Sequence, residues 1–240
     1  MFSTVVAAVT ESLSATLGYH PRYSAIFLPR VFNQSTKHAA MDAVFTSSDY
    51  DRDVRIGFHW QSACEPFDFF HRSERLGRAV GDCNEDGPES SIVVLEYEEG
   101  YLHASLVGVM FEWEGYASAY RRFCRECGAS FQMEIGVEAH TRRIITFLSE
   151  FFKDVVFKDC AIDEVRAIVL AGGAPSEAFV GLENLVRQVE NIDHVRILKD
   201  IDPGIVSALG AALWAVKVEK DSDNRFVGSS GMRREYHDEL

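Results

Sequence analysis

A strand, a pair of glycines and a helix follow one another between Ala167 and Gly181, an order typical of sites that hold a nucleotide. The apolar run AIVLA predicts the strand, and the glycine pair breaks it. The turn comprises Gly172, Gly173, Ala174, Pro175 and Ser176. It could receive a ribose and an α-phosphate, with Ser176 capping the helix and backbone N–H groups directed outward. The alternative is purely structural, because a strand that turns tightly into a helix also favours two glycines.

The composition is that of a globular protein. The chain has 240 residues, of which 47% are hydrophobic and 25% charged, so it can bury a sizeable core. The formal net charge of −13 argues against nucleic acid as a partner, since a phosphate backbone requires a basic surface. No apolar run approaches the roughly 20 residues of a membrane-spanning helix, so we expect no membrane partner.

The cysteines and histidines predict no metal site. Cys124 and Cys127 form a single CxxC motif without the second pair that a zinc site needs, and we expect ordinary thiols. The eight histidines form no HxxxH or HExxH pattern.

The acidic, turn-rich stretch at 81–90 divides the chain. Residues 1–80 alternate helix and strand, with strands predicted near Tyr23–Pro29 and Asp53–Trp60 and a helix over Glu65–Val80. Residues 91–218 predict three strands and then helices alternating with two more strands, which implies a mixed sheet covered on both faces. We predict strands near Ile92–Tyr97, Tyr101–Val109, Met110–Ala117, Arg166–Ala171 and His194–Leu198. Residues 219–240 are polar and predict a flexible tail.

Two stretches resemble a known family. AIVLAGGAPSEAFVGLENLV, followed by DIDPGIVSALGAALWA, resembles the adenosine motif and final helix of the seventy-kilodalton heat-shock chaperones, which belong to the actin-like ATPase superfamily. The stretch from Leu17 to Ala43 resembles the same family's strand, Val-Pro-Ala-Tyr-Phe-Asn, and helix. The matching positions are Pro29, Phe32, Asn33, Ala39, Asp42 and Ala43. The resemblance implies an α/β fold with actin-like, ribonuclease-H-like lobes: a complete second lobe with a five-stranded mixed sheet, and a first lobe lacking its N-terminal strands.

The chain departs from that family at the places where phosphate binds. The first phosphate loop and the usual catalytic lysine have no counterpart, and the lid that clamps adenine shrinks to about Met110–Glu138. The second phosphate loop, Asp-Leu-Gly-Gly-Gly-Thr in the family, is replaced by Glu96-Tyr97-Glu98-Glu99-Gly100-Tyr101. Glutamates carry the wrong charge for phosphate and remove the permissive backbone that glycine supplies.

Two carboxylates take catalytic positions by resemblance only. Glu96 stands where the family has its magnesium-linked aspartate, and Glu65 where it has a catalytic glutamate. Without phosphate loops, these carboxylates could attract a cation but could not position a γ-phosphate. We therefore expect no ATPase activity from the chain alone, and at most weak contact with ATP or ADP and Mg²⁺.

Three functions are compatible with these features. The first is a truncated, degenerate chaperone-like domain, of the divergent kind that occurs in filamentous fungi, acting as a binding or scaffold protein. The second is an ATPase or kinase half completed in trans by another subunit. The third is a fragment or paralogue that binds no nucleotide.

The strand Tyr23–Pro29 predicts association. In the family this strand pairs with the N-terminal strands that have no counterpart here, so its apolar edge would be open to a second copy or a protein partner. The alternative is that the helix Phe2–Leu17 folds over the edge. We expect a cytoplasmic protein; the C-terminal His237–Leu240, HDEL, would indicate the endoplasmic-reticulum lumen if a leader were missing from this chain.

Overall fold

The structure is a computed structural model that describes residues 2–21, 23–45, 55–79, 90–110, 115–157 and 162–225. The predicted linker at 81–90 lies outside these ranges except for Ser90, which begins a strand. Of the predicted tail, residues 226–240 also lie outside them.

The N-terminal part of the chain forms helices around a small parallel sheet. Its elements are α1 (Phe2–Leu17), β1 (Ala25–Leu28), α2 (Gln34–Val44), β2 (Arg55–Phe58) and α3 (His59–Cys64). β1 and β2 pair in parallel, with Ile26 opposite Ile56. α2 begins after Asn33, whose side chain accepts a hydrogen bond of 2.8 Å from the Thr36 N–H.

The long helix predicted over 65–80 is wrong. This stretch contains two short 3-10 turns, Glu65–Phe67 and Ser73–Leu76. Each turn is ended by a residue in the left-handed region, Asp68 with φ of 50° and Gly77 with φ of 73°. These breaks let closely spaced phenylalanines enter the core together. A continuous helix would have placed the same side chains on several of its faces.

The C-terminal part contains the five-stranded mixed sheet that the sequence predicts. Its strands are β3 (Ser90–Tyr97), β4 (Leu102–Met110), β5 (Gly115–Cys124), β6 (Val165–Ala171) and β7 (Arg196–Leu198), in the order β5-β4-β3-β6-β7. β4 runs antiparallel to both β3 and β5, whereas β6 pairs in parallel with β3 and β7. The third strand lies later than predicted, because Met110 belongs to β4 and pairs with Gly115.

Helices cover both faces of this sheet. They are α4 (Phe131–Ile135), α5 (Val137–Phe157), α6 (Ser176–Val186) and α7 (Pro203–Arg225). Successive residues of β3 point to opposite faces, so Val93 and Leu95 join the core under α5 and α6, while Ile92 and Val94 join the core under α3 and α7. The central strand is therefore buried on both sides, which its apolar sequence predicts.

α7 closes the second core and contacts the N-terminal part of the chain. It crosses α3 at Gly210, where a Cβ atom would lie 1.7 Å from the Ser62 carbonyl oxygen. Its Trp214 ring lies 6.2 Å from that of Phe27 in β1. The helix continues to Arg225, past residue 219, where the flexible tail was predicted to begin.

The cysteine prediction needs a correction. Cys124 and Cys127 form a disulfide rather than free thiols. Cys124 ends β5, and the 3-10 turn Arg125–Cys127 brings the two Cα atoms to 5.4 Å, within the range that a disulfide requires. Among the described residues, none of the helices combines the length and apolar character needed to cross a bilayer.

Candidate functional site

The glycine turn joins the end of β6 to the start of α6, as the sequence predicts. Gly172 has a φ of 129°, and a Cβ there would lie 2.1 Å from the Tyr97 carbonyl oxygen. Only glycine fits so close to another backbone in this conformation. The Gly172 N–H donates to the Pro203 carbonyl at 3.2 Å, and the Ala174 N–H donates to the Tyr97 carbonyl at 3.1 Å. Two N–H groups expected to face a ligand are therefore used inside the protein.

The start of α6 also differs from the expected cap. Ser176 is the first helical residue, and Pro175 occupies the N-cap position without a side-chain hydrogen bond. Proline before the first turn fixes the backbone angle but supplies no side-chain acceptor for the free N–H groups; its carbonyl oxygen accepts from the Ala178 N–H at 2.9 Å. Both side chains are exposed at this end of the helix.

An acidic side chain lies against the second glycine of the turn. A Cβ on Gly173 would be 2.8 Å from Glu98 Oε2. Burial raises the pKa of Glu98, and the nearby Glu96 raises it further, while the Gly173 N–H opposes both by stabilising the charged carboxylate. The Gly173 N–H is therefore already used by a carboxylate of the protein itself.

Glu96 is the centre of a buried polar cluster. The Tyr101 hydroxyl donates to Glu96 Oε1 at 2.5 Å, His59 Nδ1 lies 3.4 Å from the same oxygen, and His103 Nδ1 lies 3.5 Å from Oε2. Only 2% of Glu96 is exposed. Burial raises its pKa, but contacts from the two histidines and the tyrosine outweigh burial and lower the pKa of Glu96 to about 2.

Tyr101 acts as a fixed donor in this cluster. Burial raises the pKa of Tyr101 well above its usual range, and the negative charge of Glu96 raises it further. The hydroxyl therefore stays protonated and continues to donate to the carboxylate at neutral and alkaline pH.

Glu65 is held by different partners at the junction of α3 and α7. It is 6% exposed, and its Oε2 accepts from Lys217 Nζ at 2.6 Å. The neighbouring Cys64 is fully buried, and burial followed by the charge of Glu65 raises the pKa of its thiol. Glu65 therefore belongs to a packed helix junction with an ion pair of its own.

The described residues hold no cluster suited to a metal ion. No group of three or more His, Cys, Asp or Glu side chains is placed to ligate one within the ranges the structure covers. Glu65 and Glu96, the two carboxylates assigned by resemblance, are each engaged by cationic or hydrogen-bonding side chains.

Several site residues were missed by the sequence interpretation. His103 could have been found, because a hairpin centred on Glu98-Glu99-Gly100 places it opposite Glu96. His59 carries no such signal, since it reaches Glu96 from the start of α3. Lys217 also has no sequence signal, because it is 152 residues away along the chain from the carboxylate that it contacts.

Comparison with known proteins identifies no family: no protein-family model and no curated protein matches the chain. The resemblance to the chaperones and actin-like ATPases therefore rests on the residues quoted above.

Proposed function

We propose that the chain is a degenerate nucleotide-binding domain of the heat-shock-chaperone type that acts as a binding or scaffold protein, with at most weak contact to ATP or ADP. The observation that carries this proposal is the Glu98 carboxylate against Gly173. A side chain of the protein supplies the negative charge that a phosphate would otherwise bring. A nucleotide must therefore displace or neutralise this carboxylate before it can use the turn.

The topology supports the same proposal. Three antiparallel strands are followed by two parallel strands with helices on both faces, the arrangement that the resemblance implies. The glycine turn lies at the carboxyl end of β6, beside the end of β3, where open α/β sheets commonly place ligands.

The carboxylates argue against hydrolysis by the chain alone. Glu96 is ionised but enclosed by His59, His103 and Tyr101, and Glu65 is paired with Lys217. Phosphoryl transfer depends on positioning the γ-phosphate and its metal ion, and neither carboxylate is free to do so. An ATPase completed in trans would require a partner to supply the phosphate loop and to rearrange these contacts.

Glu98→Gln should strengthen nucleotide binding. The substitution keeps the shape of the side chain and removes the charge that opposes phosphate. We expect the Kd for ADP to fall by about threefold to tenfold, the effect of one like charge at a partly solvated site. Isothermal titration calorimetry of the wild type and the variant measures this change.

The matched control is Glu190→Gln, which alters the net charge equally at an exposed position beyond α6. It should leave the Kd for ADP unchanged. Equal Kd values for the wild type and Glu98→Gln would show that the charge of Glu98 does not oppose nucleotide binding at the glycine turn. That result would contradict the proposal.

We also propose that β1 associates with a second copy or a protein partner. β1 pairs with β2 on one side, and no other described strand pairs with it. α1 packs beside α2. It also contacts the loop before β1 through Thr10, whose hydroxyl lies 2.6 Å from that of Tyr23. None of the residues of α1 is buried, which indicates that this helix does not form a tight cover over the strand.

Ile26→Lys should reduce association by placing a charge on β1. We expect the average mass of the wild type in light scattering to rise with concentration, and that of the variant to stay at the monomer value. Val180→Lys, at an exposed position on α6, is the control and should behave like the wild type. A folded wild-type monomer in which the amides of Ala25–Leu28 exchange quickly would show that the open edge of β1 needs no partner strand. That result would contradict the proposed association.

A cytoplasmic location stays a prediction, as does any use of the C-terminal HDEL.

A further inference from the structure

A cavity of about 700 Å³ lies between α5 and α6, on the face of the sheet opposite α7. This volume is typical of sites that take a drug-sized ligand. The cavity is lined by the end of β3, by the segment from Ala129 to Val137, and by the facing surfaces of the two helices. It adjoins the glycine turn only through Pro175.

The floor of the cavity is apolar and aromatic. Tyr97, Ile144 and Leu182 are almost completely buried beneath it. At its rim, Met133 and Val137 are 88% and 63% exposed. Exposed apolar side chains beside a concave apolar floor are a feature of ligand sites, because they lose water when an apolar body enters.

The charge of the cavity has a single sign. Glu99 and Glu177 are the acidic side chains that line it, and no lysine or arginine lines it among the described residues. His140 also lines it, but this histidine is buried and its Nε2 lies 2.9 Å from the Gly128 carbonyl oxygen. Neither carboxylate forms an ion pair with another residue in the part of the chain that the structure describes. Phosphates and carboxylates would therefore be repelled here, whereas a cation would be attracted.

We propose that this cavity binds a small organic cation, an ammonium group attached to an apolar or aromatic body. The body packs on the floor formed by Tyr97, Ile144 and Leu182, and the ammonium lies at the rim near Glu99 and Glu177. This site is separate from the proposed nucleotide function, because its charge excludes the phosphates that the glycine turn would receive.

The test uses three probes that share one apolar body: 4-phenylbutylammonium, 4-phenylbutanol and 4-phenylbutyrate. Calorimetric titration of the whole chain should give a Kd for the ammonium about tenfold lower than for the alcohol, as two partly solvated charges predict. The carboxylate should bind more weakly than the alcohol. Equal affinities for all three, or no binding of the ammonium, would overturn the proposal.

Two kinds of variant locate the site. Gly181 lines the cavity, and a Cβ there would meet no atom within 4 Å, so the side chain of Gly181→Phe should enter the cavity and abolish binding. The double variant Glu99→Gln, Glu177→Gln should reduce the affinity for the ammonium to that for the alcohol. Glu190→Gln removes the same type of charge outside the cavity and should change neither the affinity for the ammonium nor that for the alcohol.

The controls also separate this proposal from its alternatives. General attraction to the net charge of −13 would weaken binding in Glu190→Gln about half as much as in the double variant Glu99→Gln, Glu177→Gln, which removes two charges, and that result would overturn the proposal. Displacement of the ammonium by ADP would assign the cavity to nucleotide and would likewise overturn it. Binding that survives ADP but is lost in Gly181→Phe supports it, whatever the affinity of the glycine turn for nucleotide.

Discussion

Replacing Gly210 with alanine should destabilise the protein by about 2–4 kcal/mol, the cost of forcing atoms into a packed backbone contact. A Cβ at this position would lie 1.7 Å from the Ser62 carbonyl oxygen and 2.6 Å from its carbon. Both atoms belong to the backbone of α3, so no side-chain rotation relieves the overlap. α7 must move away from α3, and the core that includes Trp60 and Val206 opens. The decrease in the free energy of unfolding can be measured by urea denaturation monitored by circular dichroism.

Gly181→Ala is the matched control for that substitution. It also replaces a helical glycine with alanine, but its Cβ would meet no atom within 4 Å. Alanine is favoured over glycine inside a helix, so we expect a gain of about 0.5–1 kcal/mol. Equal effects of the two substitutions would contradict the close approach of α7 to α3.

Glu96→Gln should destabilise the protein at neutral pH by about 3 kcal/mol, the free energy that corresponds to a pKa lowered from 4.5 to about 2. The carboxylate is more stable ionised in the folded state than in the unfolded state. Its contribution is therefore fully present above pH 4.5 and declines as the pH falls toward 2. The difference in unfolding free energy between wild type and variant should follow that decline in urea titrations at pH 7, 4 and 2.5.

Glu98→Gln should change the free energy of unfolding in the opposite direction. Burial raises the pKa of Glu98, so its charged form costs stability once the pH rises above the unfolded value. Removing the charge should therefore stabilise the protein at pH 7 and change little at low pH. If both variants lost stability to the same extent at pH 7, the separate environments of the two carboxylates would be refuted.

The sheet was predictable because its strands carry strong local signals. β3 is apolar along its length, the Glu98-Glu99-Gly100 turn marks a hairpin, and β6 is a short apolar run that ends in two glycines. The third strand was misplaced because Met110 and the residues after it are compatible with either the end of one strand or the start of the next. Only pairing with Gly115 decides between them.

The site was predictable only where its contacts are local. The turn at Gly172 and the pairing of Glu96 with His103 follow from positions along the chain. The contact between Glu98 and Gly173 needs two strands to be placed side by side, and no sequence spacing encodes it. The disulfide at Cys124 was missed because a single CxxC motif does not reveal whether its backbone folds tightly enough to bring the sulfurs together.

The most direct test of the central claim is a calorimetric titration of the wild-type chain with ADP and with ATP, each with and without Mg²⁺. If Glu98 occupies the anion position of the turn, both nucleotides should bind alike, with a Kd in the high micromolar to millimolar range. Stabilisation should then reach at most about 1–2 kcal/mol at millimolar ligand, and Mg²⁺ should add nothing. Tight binding that requires Mg²⁺ and prefers ATP, with release of phosphate by the pure protein, would contradict the account.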